Sequence, residues 1–121
     1  GFYEWKNTSG GKQPYFIRLK SREVFGFAGL WDRWEKDGQE IYSCTIITTE
    51  PNELMSEIHN RMPVILNVED EEAWLNTQLH DTEFLKTLLK PFDSHKMEAY
   101  PITPLVNSPK NNDPTLIERV F

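Results

Sequence analysis

Cysteine is nearly missing from this chain: Cys44 is the only one in 121 residues. A single thiol forms no internal disulfide and is too few for a zinc–cysteine site, which fits a reducing compartment. Long apolar runs are missing as well. The longest, Val24 to Trp31, is interrupted by Gly26 and Gly29 and falls far short of the roughly 20 residues that cross a bilayer, so no membrane helix and no membrane partner is expected. No signal-peptide pattern opens the sequence as given, and no internal repeat or low-complexity tract runs through it. Positive charge is scarce. Thirteen Lys and Arg stand against nineteen Asp and Glu, a net charge of −6. That balance argues against sequence-blind nucleic-acid binding driven by net charge, while leaving room for a local basic groove. HExxH, CxxC and glycine-rich phosphate loops are all absent, so no metal and no other cofactor is expected.

What remains is the composition of a folded protein, 38% hydrophobic, 12% aromatic and 26% charged, at a length that allows one domain at most. The first half reads as β structure. Gly1-Phe2-Tyr3-Glu4-Trp5 is strand-like from the first residue, which points to a removed tag or to the later part of a larger domain. Asn7 to Gly11 is a turn signal, and Tyr15 to Leu19 alternates as a second strand. Val24 to Trp34 forms a third strand region, turned back by Lys36-Asp37-Gly38. Glu40 to Thr49 carries apolar residues on both faces, so a central place in the sheet is expected, with Cys44 as a small buried hydrophobe. Helices follow. Pro51 to Ile58 presents Leu54, Met55 and Ile58 to a core, and Met62 to Leu66 is a short strand. Asn67 caps a helix with an acidic first turn, and Asp81 to Lys90 repeats the pattern before Pro91. Met97 to Ile102 is the last expected strand. Strands first and helices afterwards indicate an α+β fold with a mainly antiparallel sheet and several short helices.

Glu4 and His59 stand out as candidate acid–base groups. Period-2 geometry places Phe2 and Glu4 on one strand face and Tyr3 and Trp5 on the other. Desolvation of a carboxylate among these aromatics would suit it to general acid–base work, the plainer alternative being a sheet-edge Glu paired with a lysine. His59 follows the short helix, where an imidazole is often just a favourable cation at the negative end of the dipole. His80 and His95 fall in polar segments, with surface loops as their expected place. The tryptophans are expected in packing more than in base stacking.

In order along the chain, Gly1-Phe2-Tyr3-Glu4-Trp5, Lys12-Gln13-Pro14-Tyr15-Phe16-Ile17, Phe27-Ala28-Gly29-Leu30-Trp31, Thr45-Ile46-Ile47-Thr48-Thr49, Ile58-His59-Asn60-Arg61-Met62-Pro63-Val64-Ile65-Leu66 and Val106-Asn107-Ser108-Pro109 resemble the SOS response-associated peptidase (SRAP) family. The resemblance implies a compact α+β fold with a curved, barrel-like sheet and a basic DNA-facing groove. It further implies a protein of the DNA damage response that senses abasic sites in single-stranded DNA and becomes covalently attached to them, with an associated autopeptidase activity. The family's nucleophile is a cysteine exposed as the first residue, whose α-amine and thiol together capture the sugar aldehyde as a thiazolidine; an α-amine with a pKa of about 8 is partly neutral and nucleophilic near pH 7. By the motif match, Glu4 resembles the family's acid–base carboxylate and His59 its ring-opening histidine. Thr48 and Arg61 resemble DNA contacts, Arg61 as a charge-assisted partner for phosphate.

One departure is large. Family members carry a segment comparable in length to this whole chain ahead of the G-x-Y-E-W block, and that segment holds the nucleophile. Residues 1–121 therefore match the C-terminal portion of a single SRAP domain, incomplete and inactive without its N-terminal portion, which is an expected partner beside abasic single-stranded DNA. Cys44 cannot substitute, since it has no free α-amine and lies inside a strand. A cytoplasmic location, or a nuclear one in a eukaryote, follows from the same resemblance. The alternative is a non-catalytic nucleic-acid or protein binding module with the same fold.

Overall fold

The structure is a computed structural model that describes residues 1–121. In chain order the elements are β1 (Phe2–Thr8), β2 (Gly11–Leu19), β3 (Gly29–Lys36), β4 (Gln39–Ile46), β5 (Thr48–Thr49), α1 (Glu53–Ser56), β6 (Met62–Pro63), α2 (Val68–Leu75), α3 (Thr82–Thr87) and β7 (Met97–Pro101), with single 3-10 turns at Ser94–Lys96, Pro104–Asn107 and Pro114–Ile117. The fold is α+β, and every strand pairing is antiparallel. The strands form three separate sheets and no closed barrel. No helix is long and apolar enough to cross a membrane. The chain divides into two compact units: residues 1–24, 51–60 and 93–121 make the first, and residues 25–50 and 61–92 the second.

The first unit is built on a three-stranded sheet in the order β1–β2–β7. Asn7–Lys12 and Thr8–Gly11 are the last pairs before the β1–β2 turn, where Gly11 adopts a φ of +112° that an L side chain rarely tolerates. Alternation along β2 sends Phe16 inward to pack with Tyr100 and Ile102, against Tyr3 and Val106. Ile17, Met55, Met97 and Ile102 are almost inaccessible to solvent. Burial of each such side chain stabilises the unit by about 1.5–3 kcal/mol. Tyr100 also holds the C-terminal residues, donating its hydroxyl hydrogen to the Ile117 carbonyl at 2.7 Å while the Arg18 and Arg119 guanidiniums lie 5.2 and 5.0 Å from its ring centre.

Helix α1 is short because its caps close quickly. The Asn52 side chain accepts from the Met55 N–H at 2.9 Å, and the Ile58 and His59 N–H groups both return to the Met55 carbonyl. Met55 and Ile58 are buried and Leu54 is half-buried, the face expected from the sequence. The outcome is a tight turn whose exit residue, His59, has a fixed backbone position.

In the second unit, Ala28, Val64, Leu66 and Leu88 form the core, flanked by Ile47, Trp74, Leu85 and Leu89. Asp81 caps α3 through the Phe84 N–H at 3.0 Å. Asn67 stands at the start of α2 without a side-chain cap bond to the backbone, its amide instead reaching Asp70 at 3.5 Å. The hairpin β3–β4 turns at Asp37 and Gly38, whose φ values of +50° and +77° are those of the two-residue turn that suits strand twist.

Two expectations are corrected here. β4 is not central: β3 is its only sheet neighbour, and all eight of its residues, Gln39–Ile46, are exposed. Cys44 is exposed with them and is not a core residue. Apolar side chains on both faces suggest a covered central strand, but in a two-stranded ribbon the same pattern leaves Trp31 stacked on Tyr42 at 6.2 Å, with both rings largely in solvent.

Candidate functional site

The β1–β2 pairing dictates what surrounds Glu4. Trp5 and Asn7 project from the face opposite Glu4, and Asn7 stands directly across from Lys12, so Trp5, Asn7 and Lys12 share one side of the sheet. β1 is the outer strand of the sheet, and Glu4 lies within it. Its Oε1 accepts the Trp5 N–H at 3.1 Å and lies 3.9 Å from His59 Nε2. Acid and imidazole are 55 positions apart in the chain, and the turn after α1 closes that gap.

The two side chains stand in an open pocket of about 400 Å3 lined by Glu4, Trp5, Asn7, Lys12, His59 and Asn107. The volume falls in the range of ordinary ligand sites. Glu4 is mostly covered, with 23% of its side chain exposed, whereas His59 shows 42%. At 3.9 Å the pair is too far apart for a direct hydrogen bond. An oxygen placed about 2.8 Å from each would complete a bent relay between them. On another side, Asn107 Oδ1 accepts the Trp5 indole N–H at 2.7 Å. A shallower groove of about 660 Å3 continues past Asn7 and His59 toward Lys6 and Asn60.

Thr48 and Arg61 lie in the second unit, also brought together. The Arg61 guanidinium donates through Nη2 to the Thr48 carbonyl at 2.9 Å and to its Oγ1 at 3.1 Å, and Nε reaches Oγ1 at 3.3 Å. Both residues are exposed, and the short β5–β6 pairing sets their approach. A cavity of this unit, about 270 Å3 beside Trp31 and Trp74, is walled by no titratable side chain. Acid–base chemistry has no reagent there.

His80 and His95 are exposed, as expected, His95 lying 3.3 Å from Asp93. No group of three or more His, Cys, Asp or Glu side chains is gathered to hold a metal ion. Sequence reasoning overlooked Lys12, Asn7 and Asn107 as site residues. The first two were legible through hairpin register, because a two-residue turn after Thr8 forces Asn7 opposite Lys12. Asn107 had no local signal: the residue it bonds is 102 positions away.

The family model for SOS response associated peptidase (SRAP) matches residues 1–109. The abasic site processing protein YoqW of Bacillus subtilis is 55% identical over 119 residues, covering 97% of this chain and 53% of that protein. The abasic site processing protein HMCES of Gallus gallus is 34% identical over 135 residues, covering 94% of this chain and 40% of its own length. A crystal structure of a protein from Bacteroides thetaiotaomicron superposes with a TM-score of 0.87 at 44% identity, over the whole of this chain and 54% of the other. The chain thus spans about half the length of these relatives. Sequence blocks, fold and family match agree, and the chain belongs to the SRAP family.

Proposed function

We propose that this chain is the C-terminal portion of an SRAP domain that recognises abasic sites in single-stranded DNA and attaches to them covalently. The observation that carries the reading is the meeting of Glu4 and His59, 3.9 Å apart on the wall of an open pocket. Relatives named abasic site processing proteins support the substrate class. A pocket of about 400 Å3 offers room for a sugar ring, and two acid–base groups are what the capture of a deoxyribose aldehyde requires.

An abasic sugar must open from hemiacetal to aldehyde, which takes a proton from the C1 hydroxyl and gives one to the ring oxygen. His59 is the group proposed to move the proton at the ring oxygen, and Glu4 the one proposed to serve the carbon that becomes the imine. The nucleophile is a cysteine carried outside these 121 residues. Its α-amine adds to the aldehyde, one water leaves with a proton from Glu4, the imine nitrogen returns a proton to that carboxylate, and the thiol then adds sulfur to carbon and its proton to nitrogen, closing a thiazolidine. Thr48 and Arg61 are proposed as DNA contacts, the guanidinium taking a phosphate. The autopeptidase activity would use the same carboxylate and imidazole for proton transfer.

The deciding experiment mixes the intact gene product with an oligonucleotide bearing one abasic site. The expected result is a product that survives denaturing electrophoresis, with the summed mass of protein and DNA less one water. Equal retention of an undamaged strand, or no retention of either, overturns the reading.

A further inference from the structure

Beyond acid and imidazole, the same pocket holds a cation and a fixed amide donor that the reaction described above does not use. Lys12 lines the wall on the Trp5–Asn7 side of the sheet, and its side chain is exposed. It enters none of the ion pairs of its unit, in which the Arg18–Glu98 pair at 2.6 Å is the one formed by a lysine or arginine. A cation kept beside a reaction pocket without a carboxylate partner is available to an incoming anion.

Asn107 contributes the second element. An indole N–H only donates, so the oxygen of the Asn107 amide must be the atom facing Trp5, at 2.7 Å. That bond fixes the amide's orientation and leaves its NH2 as a donor on the pocket wall. Trp5 in turn donates its backbone N–H to Glu4 Oε1. Glu4 and Asn107 are therefore both bonded to Trp5, and Lys12 lines the pocket from the same side of the sheet as that residue.

We propose that Lys12 and the Asn107 amide form a phosphate-oxygen subsite of the Glu4–His59 pocket, holding a phosphodiester that flanks the reacting sugar. The inference rests on the abasic-strand reading and adds to it the group that places the sugar. The ammonium supplies charge and the amide supplies direction, a division that suits a phosphate with several equivalent oxygens.

The test uses the intact gene product and a single-stranded oligonucleotide with a tetrahydrofuran abasic analogue, which binds without reacting. Lys12→Gln is expected to weaken binding and to reduce the slope of log K against log salt by about 0.7, the release of one phosphate's counterions from a single strand. Lys12→Arg should restore most of the slope. Asn107→Asp keeps an oxygen for the indole while replacing the donor with a negative charge, so it should weaken binding at least as much. Replacing the flanking phosphates one at a time by neutral methylphosphonates should identify one linkage at which Lys12→Gln no longer costs affinity. Unchanged slopes in both variants, or an equal loss on every methylphosphonate strand, overturn the subsite while the abasic-strand reading stands. A wild-type protein that leaves a genuine abasic strand unmodified overturns that reading, and the subsite with it.

Discussion

Removing Glu4 or His59 should separate chemistry from stability by a wide margin. Even with the imidazole protonated, two unit charges 3.9 Å apart attract by about 4 kcal/mol at an effective dielectric constant of about 20. Here 23% of the Glu4 side chain and 42% of the His59 side chain are exposed, and screening reduces the contribution to about 1 kcal/mol or less. Glu4→Gln and His59→Gln should therefore leave the protein folded, with a melting temperature lower by a few degrees at most. A positioned acid or base contributes about 100- to 10,000-fold to a rate. The assay is single-turnover attachment to an abasic strand at saturating DNA, run beside a thermal melt of each variant. Each single variant is expected to lose at least about 100-fold in rate. The double variant should be little slower than the worse single one, because ring opening and imine formation are successive steps and the slower one sets the rate. Wild-type rates in both single variants would refute the roles assigned to them, and strictly multiplicative losses would refute the division into two steps.

Ile17→Ala should cost about 2–5 kcal/mol by urea denaturation, since the side chain is fully buried in the first unit; a loss below about 1 kcal/mol would contradict that packing. Three carboxyls are held below their ordinary range: Glu40 by the Arg33 guanidinium, Asp93 chiefly by the His95 backbone N–H, and Asp113 chiefly by the Thr115 hydroxyl. A depressed folded-state pKa stabilises above the unfolded value near 4 and ceases to do so as pH falls through the folded value. Melting temperature should thus hold from pH 7 to about 5 and drop below about 4, and a flat profile down to pH 3 would count against these contacts. Purified residues 1–121 should self-associate through the β3–β4 ribbon, where Trp31 is 73% and Tyr42 63% exposed. Sedimentation should return a monomer when both are replaced by Thr, and a monodisperse wild-type chain would argue otherwise.

Local rules carried much of the fold. The alternation of Phe2, Tyr3, Glu4 and Trp5, the Asp37-Gly38 turn and the Asp81 cap each depend on neighbours within a few residues, and each is found where expected. Boundaries drifted where tertiary contacts decide them: Val24 to Gly26 stays outside a strand, and Asp81 to Lys90 shortens to Thr82–Thr87. β4 was misplaced because two apolar faces describe what a strand can bury and leave open whether anything covers it. The site divides in the same manner. Glu4 and Lys12 belong to one hairpin and follow from its register. His59 and Asn107 arrive from other segments of the first unit; the histidine stands out by its place after the short helix, while its meeting with Glu4 depends on contacts that no local pattern shows.

The indole of Trp5 gives this pocket an intrinsic optical reporter. Its emission depends on the polarity around the ring, on the bond to Asn107 and on the carboxylate beside it, and a ligand in the pocket would meet all three. Because Trp31, Trp34 and Trp74 lie in the other unit, a Trp5→Phe subtraction isolates the signal. Occupancy can then be followed in real time, without a label, on the very residue that joins the acid to its neighbours.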